Sequence, residues 1–555
     1  MNVADRIGQI LVAEGVRLAA GITGQSVGYV ADALASAPEI KLCYTRQERV
    51  AVDICDGYGR MTGVPGVAFA DAGPAVANAM GGIVNSFGDS TPHLFIAGAN
   101  DRFELARRYT KELPIHNVFG GVTKWTEAIL DPSQVDDVLR RAFVLLRSQR
   151  PGPIMLAMPY DVSQMEAPDG PYRPVSERIR SGGDPREIER AVRLLAAAER
   201  PYVYVGAGVL YGDATPELVE LAELLTLPVA TTLNGKSAFP EDHPLSLGIG
   251  GFGRATYSSL HATRAAEAAD VALTVGCGFK HHATVAPMPA GVTHIQVDVD
   301  AAELHKEARA DVGILGDAKL VLRQMIEAAR ALLPPSRLEP RGEVLARVER
   351  GRQEWMAFSQ PFLTDPGRPI NPFRVTWELT QLVDPARTVV LHDAGSVRGS
   401  TCQHYVATTP RGFLGFGVES AMGWSLGAAI GAKVAAPDKL VVAVMGDEAF
   451  AETGLDLETA VRSEVPILVV MKNNKAFPST DSGISPRLSG VRYREAGNYC
   501  VLAEALGARA TRVEDPEALR GALADAIACV QDGRPALVEV VTKRVPTSLY
   551  RLWEQ

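Results

Sequence analysis

Short runs of consecutive apolar residues, each stopped by Gly, Pro or a polar residue, recur along the whole chain. "GVAFADAG", "HLFIAGA" and "GPIMLAMP" are followed by "PYVYVGAG", "VALTVGCG" and "THIQVDVD", and then by "TVVLHDAG", "LVVAVMGD" and "PILVVMKN". Apolar positions that are consecutive rather than alternating predict strands buried on both faces of parallel sheets. Segments of helical periodicity separate the runs, and that alternation predicts doubly wound α/β domains. Two stretches break the rhythm: 163–185, rich in Pro, Gly and charge, and 332–372, with Pro-rich ends around a helical middle. They divide the chain into three expected domains, 1–165, 186–335 and 365–545.

A length of 555 residues exceeds what one core holds, in keeping with that division. The net charge of −9 argues against nonspecific nucleic-acid binding, which needs a concentrated basic surface. A local basic pocket for a phosphorylated ligand stays compatible with it. Six cysteines without any C-x-x-C spacing read as reduced thiols of a cytoplasmic protein and argue against structural zinc. The start, "MNVADRIGQILVAEGV", carries acidic residues and helical periodicity, unlike a signal peptide. No apolar run approaches about 20 residues, so no membrane span is expected.

Candidate chemistry first shows at two strand ends. In such sheets ligands gather at the carboxyl ends of strands. "VVAVMGD" ends at Gly446 and Asp447, and "PILVVMKNN" ends at Asn473 and Asn474. Asp447 alone reads equally well as a helix N-cap. The helical "TGLDLETAVRSEV" between the two runs makes a β–α–β unit, which sets Asp447 and Asn474 at the ends of two parallel strands. A carboxylate and an amide oxygen facing one space suit a hard cation such as Mg²⁺, which shares its oxygen ligands with phosphates.

Gly446-Asp447 followed by Asn473-Asn474 at this spacing resembles the diphosphate-binding motif of thiamine-diphosphate enzymes. The resemblance implies that Asp447, the Asn474 side chain and the Ala476 carbonyl hold Mg²⁺ on the cofactor's diphosphate, with Glu448 and Ala449 beside it. "YTRQERVAVDICDGYGRMTG" (44–63) resembles the family segment in which a strand ends at the cofactor-activating glutamate, here Glu48. Gly73-Pro74, Asn78 and Asp89-Ser90-x-Pro92 fall where the family places comparable residues. The middle block, with "RPYVYVGAGV" and "LPVATTLNGKSAFPEDHPLSLGIGG", is similar to the acetolactate-synthase branch. "GAG" at 206–208 is only a fragment of a dinucleotide fingerprint, and FAD or ADP in the central domain is the expectation attached to it.

In this family a carboxylate at the far pyrimidine nitrogen lets the cofactor's own amino group act as base, the role implied for Glu48. "GVESAMGWSLGAAIGAKVA" (417–435) resembles the segment that keeps the cofactor folded, with Met422 as the apolar wedge and the Ser420 carbonyl accepting the amino group. By its local character Met422 reads equally as flexible core filler. In "DAGSV", Gly395 and Ser396 are expected near the diphosphate or aminopyrimidine. His116, near a substrate-facing position of relatives, is a candidate proton relay, and a surface histidine otherwise. Adjacent His281 and His282 point apart on a strand and make a poor chelating pair.

Three departures from the family pattern stand out. Glu448 replaces a small residue, and a carboxylate beside a diphosphate is unfavourable unless it turns away or faces Mg²⁺. The family's Gly-Pro-Gly reads Gly73-Pro74-Ala75, and alanine enters positive φ less readily. The loop "GITGQSVGYV" (21–30) carries Gln25 where acetolactate synthases have Gly-Gly-Ala, which counts against a pyruvate-plus-pyruvate reaction. "GDEAFAETGLDLETAVR" and "AGANDRFE" also resemble oxalyl-CoA decarboxylases and 2-hydroxyacyl-CoA lyases. The tail "KRVPTSLYRLWEQ" reads as a docked terminal segment, or as a cover with Arg544, Arg551 and Trp553 near a substrate.

The expectation is therefore a three-domain, cytoplasmic α/β enzyme using thiamine diphosphate and Mg²⁺, a homodimer or homotetramer. It makes or breaks a C–C bond beside a carbonyl, on a small-molecule 2-keto acid or a 2-hydroxyacyl-CoA. The acetolactate-synthase-like reading leads. A non-catalytic, cofactor-binding regulatory homologue is the alternative that Glu448 suggests.

Overall fold

The computed structural model describes residues 1–175, 178–252, 257–279, 288–417, 419–475, 497–545 and 549. Its strands form three six-stranded sheets, parallel at every strand pair. The first holds β1 (Leu18–Ile22), β2 (Lys41–Tyr44), β3 (Gly66–Ala70), β4 (His93–Ala99), β5 (Trp125–Ala128) and β6 (Ile154–Pro159), in the order β2-β1-β3-β4-β6-β5. The second holds β7 (Pro201–Val205), β8 (Val229–Thr231), β9 (Ser246–Ile249), β10 (Val271–Val275), β11 (Thr293–Asp298) and β12 (Val312–Leu315), in the order β12-β11-β10-β7-β8-β9. The third holds β13 (Thr388–His392), β14 (Phe413–Leu414), β15 (Leu440–Gly446), β16 (Leu468–Asn473), β17 (Arg509–Val513) and β18 (Ala536–Val541), in the order β14-β13-β15-β16-β18-β17. The nine apolar runs singled out in the sequence all become strands of these sheets, so the chain is a three-unit α/β protein as expected.

The first and third sheets repeat one strand order. The helix after the second strand of each therefore holds an equivalent place: Glu48–Thr62 after β2, and Trp424–Ala435 after β14. These two helices pack on each other, and the two units share one apolar core, whereas the central unit has a cluster of its own and lends Leu233, Ile249 and Tyr257 to one of the third unit. Contact is backbone to backbone. A Cβ on Gly57 would lie 2.1 Å from the Ala428 carbonyl oxygen, and one on Gly431 would lie 1.9 Å from that of Ile54. Glycine is used here for close approach, not for a turn.

Buried polar groups ring this contact. Asp56 accepts from Trp424 Nε1 at 3.0 Å and from Ser86 Oγ at 2.8 Å, and pairs with Arg60. Arg60 stacks on Trp424 and reaches Asp89 at 3.1 Å. Asp89 also accepts from Asn234 Nδ2 at 2.9 Å and from the Gly417 amide at 2.9 Å, so one buried carboxylate joins all three units. All six cysteines are free thiols. No helix among the described residues is long and apolar enough to cross a membrane.

Two local readings change. The helix expected over "TGLDLETAVRSEV" begins earlier, at Asp447 itself, and is interrupted at Gly454–Asp456 before Leu457–Arg462. Ala75 needs no positive φ: it lies in the short helix Pro74–Asn78, and Gly73 carries the unusual backbone at φ 67°. A Cβ on Gly73 would also meet the Lys111 carbonyl oxygen at 2.7 Å, so glycine is required there twice over.

If the Gly431 contact sets the docking distance, Gly431→Ala destabilises by about 1–3 kcal/mol or more, because neither backbone can yield cheaply. Gly521→Ala, in a helix with open space around its ideal Cβ, should be neutral or gain up to about 1 kcal/mol. Thermal unfolding of the pair checks this, and equal tolerance at both positions would contradict it.

Candidate active site

The carboxyl ends of β13, β15 and β16 converge with three helix starts. β15 and β16 are neighbours, with Gly446 paired to Lys472, so Asp447 and Asn474 do leave adjacent strand ends. Gly446, not Asp447, is the N-cap, and Asp447 is the first helical residue, buried at its strand end. The two asparagines separate in role. Asn473 is fully buried and donates to Glu539 at 2.9 Å, while Asn474 Nδ2 lies 3.4 Å from Ser396 Oγ. A cation on Asn474 would take its amide oxygen, since the nitrogen is used on Ser396. Gly395, just before, has φ 77° and open space around its ideal Cβ, so a ligand can approach the backbone there. Ala476 lies outside the described residues, as do His281, His282, Arg551 and Trp553.

Among the described residues no three His, Cys, Asp or Glu side chains gather to hold a metal alone. The donor set of Asp447 and an amide oxygen fits Mg²⁺ only with further oxygens, such as those of a diphosphate. Glu448 follows in the same turn, and its Oε1 is buried without a hydrogen bond among the described residues. Ala449 is a core residue beneath the Gly423 turn.

The Met422 turn is tied from three sides. Asp393, fully buried at the end of β13, accepts from the Gly423 amide at 2.9 Å, the Ser425 amide at 2.9 Å and Ser425 Oγ at 2.6 Å. Thr453 donates to the Gly423 carbonyl at 3.1 Å. Arg49, from the first unit, donates to the Met422 carbonyl and lies 3.2 Å from Glu452. Ser420, before it, holds φ 53°. Met422 itself is partly buried against the shared core, so part of its surface stays open as a wedge requires.

Glu48 opens its helix behind Gln47, and Asn78 Nδ2 donates to Glu48 Oε2 at 3.2 Å. Its neighbour Arg49 thus joins the Glu48 turn to the Met422 turn. Arg46 reinforces the same seam, its amide donating to Asp456 at 2.7 Å and its guanidinium to Glu458 at 2.9 Å. His116 is not gathered with these groups. It sits on the short helix Ile115–Phe119, 54% exposed, with Nε2 3.8 Å from Glu127. Arg544 donates to the Lys475 carbonyl at 2.7 Å, and Leu549 is fully buried, so these described parts of the tail are docked.

Sequence reading missed Asp393, Arg49 and Arg398, a buried arginine two residues after Ser396. Their contacts span 30, 373 and 22 residues, and only "HDAG", an acid closing a strand, gave a local hint. The glycines of 206–208 are demanded by packing: a Cβ on Gly206 would lie 2.2 Å from the Gly276 carbonyl oxygen.

Family models for the N-terminal thiamine pyrophosphate binding domain, the central domain and the C-terminal thiamine pyrophosphate binding domain match residues 1–118, 188–325 and 393–540. The probable acetolactate synthase large subunit of Methanocaldococcus jannaschii is 30% identical over 98% of the chain and 92% of its own length. The isozyme 3 large subunit of acetolactate synthase from Escherichia coli K12 is 30% identical over 97% and 94%. Glyoxylate carboligase of Escherichia coli O157:H7 is 28% identical over 98% and 94%. The three matched domains and these relatives define a thiamine-diphosphate enzyme that works on C–C bonds beside a carbonyl. The chain belongs to the thiamine pyrophosphate enzyme family, in its acetolactate-synthase-like group.

Asp53, one turn beyond Arg49, is fully buried, and neither oxygen has a hydrogen bond among the described residues. Desolvation pushes its carboxyl up to about 8; Arg49 at 3.5 Å opposes this, while Asp56, Asp393 and Asp456 add to it. Burial outweighs the single cation, which is itself shared with Glu452. An unfolded aspartate ionises near about pH 4, so the native state binds the extra proton between there and about 8, and stability falls as pH rises through that window. Asp53→Asn should therefore gain on the wild type in unfolding temperature from pH 5 to pH 8, and a pH-independent difference would contradict the assignment.

Proposed function

We propose that the protein is a Mg²⁺-dependent carboligase or decarboxylase of small 2-keto acids, acetolactate-synthase-like. The observation that carries this is the pair of neighbouring strand ends that brings Asp447 and Asn474 together, with Asn78 holding Glu48 at a partly open face of the chain. When bound, thiamine diphosphate supplies a thiazolium carbon that adds to a substrate carbonyl. Asp447 and Asn474 would hold Mg²⁺ and the diphosphate, with Gly395 and Ser396 against them and Gly446 leaving the turn narrow. The Ser420 carbonyl would accept the pyrimidine amino group, and Met422 would keep the two rings apart. The Glu48 carboxyl would exchange a proton with the far ring nitrogen, in a pocket where few waters compete.

The names of the relatives support pyruvate and glyoxylate as the first substrates to test. Gln25 in the loop at 21–30 favours an acceptor other than a second pyruvate. His116, exposed beside Glu127, would act only with a covering element over it. Glu48 and Asn78 lie at a face that one chain leaves partly open, which supports a homodimer or homotetramer whose sites form between copies. A cavity at the carboxyl ends of the central strands, lined by Gly206, Gly208, Asp298 and Asp317, is the proposed place for ADP or FAD. A cytoplasmic enzyme with free thiols is consistent with all six cysteines being unpaired.

Turnover of pyruvate, glyoxylate and a 2-hydroxyacyl-CoA should be assayed with added cofactor and Mg²⁺. Consumption of a 2-keto acid is expected; cleavage of the acyl-CoA alone would overturn the substrate class, and no turnover would favour a regulatory homologue. Glu48→Gln should lower turnover by about 100-fold or more with cofactor binding kept. Asp447→Ala should instead lose Mg²⁺-dependent cofactor retention after dialysis. Co-expressing the two variants should restore part of the activity if sites form between copies, and no recovery would place each site within one chain.

A further inference from the structure

The cavity on the central unit does not end there. Its far wall is built by Asp89 and Ser90 of the first unit and by Arg398 and Gly417 of the third. At the central end Arg178 lines it beside Asp317 and makes no hydrogen bond to another described residue. Burial and nearby Arg180 disfavour that charge and Asp317 and Asp213 offset them only in part, which leaves room for an anion. A phosphate-bearing ligand would thus set its anionic part at Arg178 and its flat part toward Arg398.

Arg398 is 2% exposed, yet it forms part of the cavity wall. Its guanidinium lies 4.9 Å from the Phe416 ring and 5.8 Å from the Tyr257 ring, one from the third unit and one from the central unit. Its Nη2 donates to Ser420 Oγ at 2.7 Å. Ser420 holds φ 53°, a left-handed backbone that a serine adopts only when its surroundings insist. Asp393 fixes residues 423 and 425 and Arg49 fixes 422, while the side chain of Ser420 is held by Arg398. The orientation of the Ser420 carbonyl therefore depends on a side chain that belongs to another ligand's cavity.

We propose that Arg398 is a positioning residue that couples the two sites: a nucleotide packed on Arg398 fixes Ser420 and thereby tightens thiamine-diphosphate binding. This rests on the readings that the Ser420 carbonyl meets the cofactor and that the central cavity takes a nucleotide. Linkage makes the effect reciprocal, so thiamine diphosphate must tighten nucleotide binding by the same factor. The Ser420 hydroxyl is the atom that Arg398 holds, which makes it the place to cut.

The experiment uses the full-length protein with Mg²⁺ and the probes ADP and FAD in parallel, by calorimetry. In the wild type, saturating nucleotide should lower the Kd for thiamine diphosphate about fivefold, the small end of ordinary coupling. Ser420→Ala keeps the carbonyl and the cavity, so nucleotide affinity alone should be unchanged while cofactor affinity falls about tenfold. Ser420→Gly, at ease with positive φ, should recover most of that affinity yet still not respond to nucleotide. A nucleotide response preserved in Ser420→Ala, or its absence in the wild type despite nucleotide binding, overturns the proposal. Failure of both ADP and FAD to bind overturns it through the cavity reading, and failure of thiamine diphosphate to bind wild type removes the functional reading instead.

Discussion

Bare backbone against bare backbone, at Gly57 and Gly431, sets the distance between the first and third sheets. Everything at the candidate site depends on that distance. With the two helices in contact, Arg49 reaches the Met422 carbonyl, Arg46 reaches Asp456, and Trp424 closes over Asp56 and Arg60. One added methyl group at either glycine would push the two helices apart and break these contacts. The buried charges around the seam then make the docking specific, since an ion left without its partner in such a place costs several kcal/mol.

The repeated strand order explains why the site takes the form it does. Equivalent helices follow the second strand of each outer sheet, and their N-termini carry Glu48 in one and the Met422 turn in the other. In the proposed reading, one copy of the fold supplies the acid–base side and the other the wedge and diphosphate side. The central unit has a different strand order and a core cluster of its own, and it meets the others through Asp89, the wall of its cavity and bonds such as Arg411 to Asp213 and the Ala407 amide to Glu241. That geometry lets an occupant of the central cavity sit against Arg398, one hydrogen bond away from the Ser420 turn.

Much of this was legible in the residues and some was not, for physical reasons. Strands such as β3, β4, β6 and β16 are buried along their length, so their runs are uninterrupted and easily read. β5 is half-buried throughout and β17 is mostly so or exposed; as sheet edges they carry polar residues that hide them. β18 has Glu539 in its middle, neutralised by Arg512 and Asn473 only once the sheet has formed. Asp447, Asn474, Glu48 and Ser420 could be singled out in the sequence because local motif spacing carries them. Arg49, Asp393 and Arg398 act across longer separations, and apart from the acid closing a strand at Asp393 nothing in their own neighbourhoods marks them. Glu448 keeps a buried oxygen without a hydrogen bond among the described residues, and the structure offers no physical account of that choice.

The central claim is that Glu48 makes the bound cofactor a far stronger carbon nucleophile than the free one. Exchange of the thiazolium C2 proton for deuterium, quenched in acid and read by NMR, measures this without any substrate. The wild-type protein should speed the exchange over free cofactor by about 100-fold or more, the scale of a positioned acid–base group. Exchange on the protein no faster than in solution, with the cofactor shown to be bound, would contradict the account.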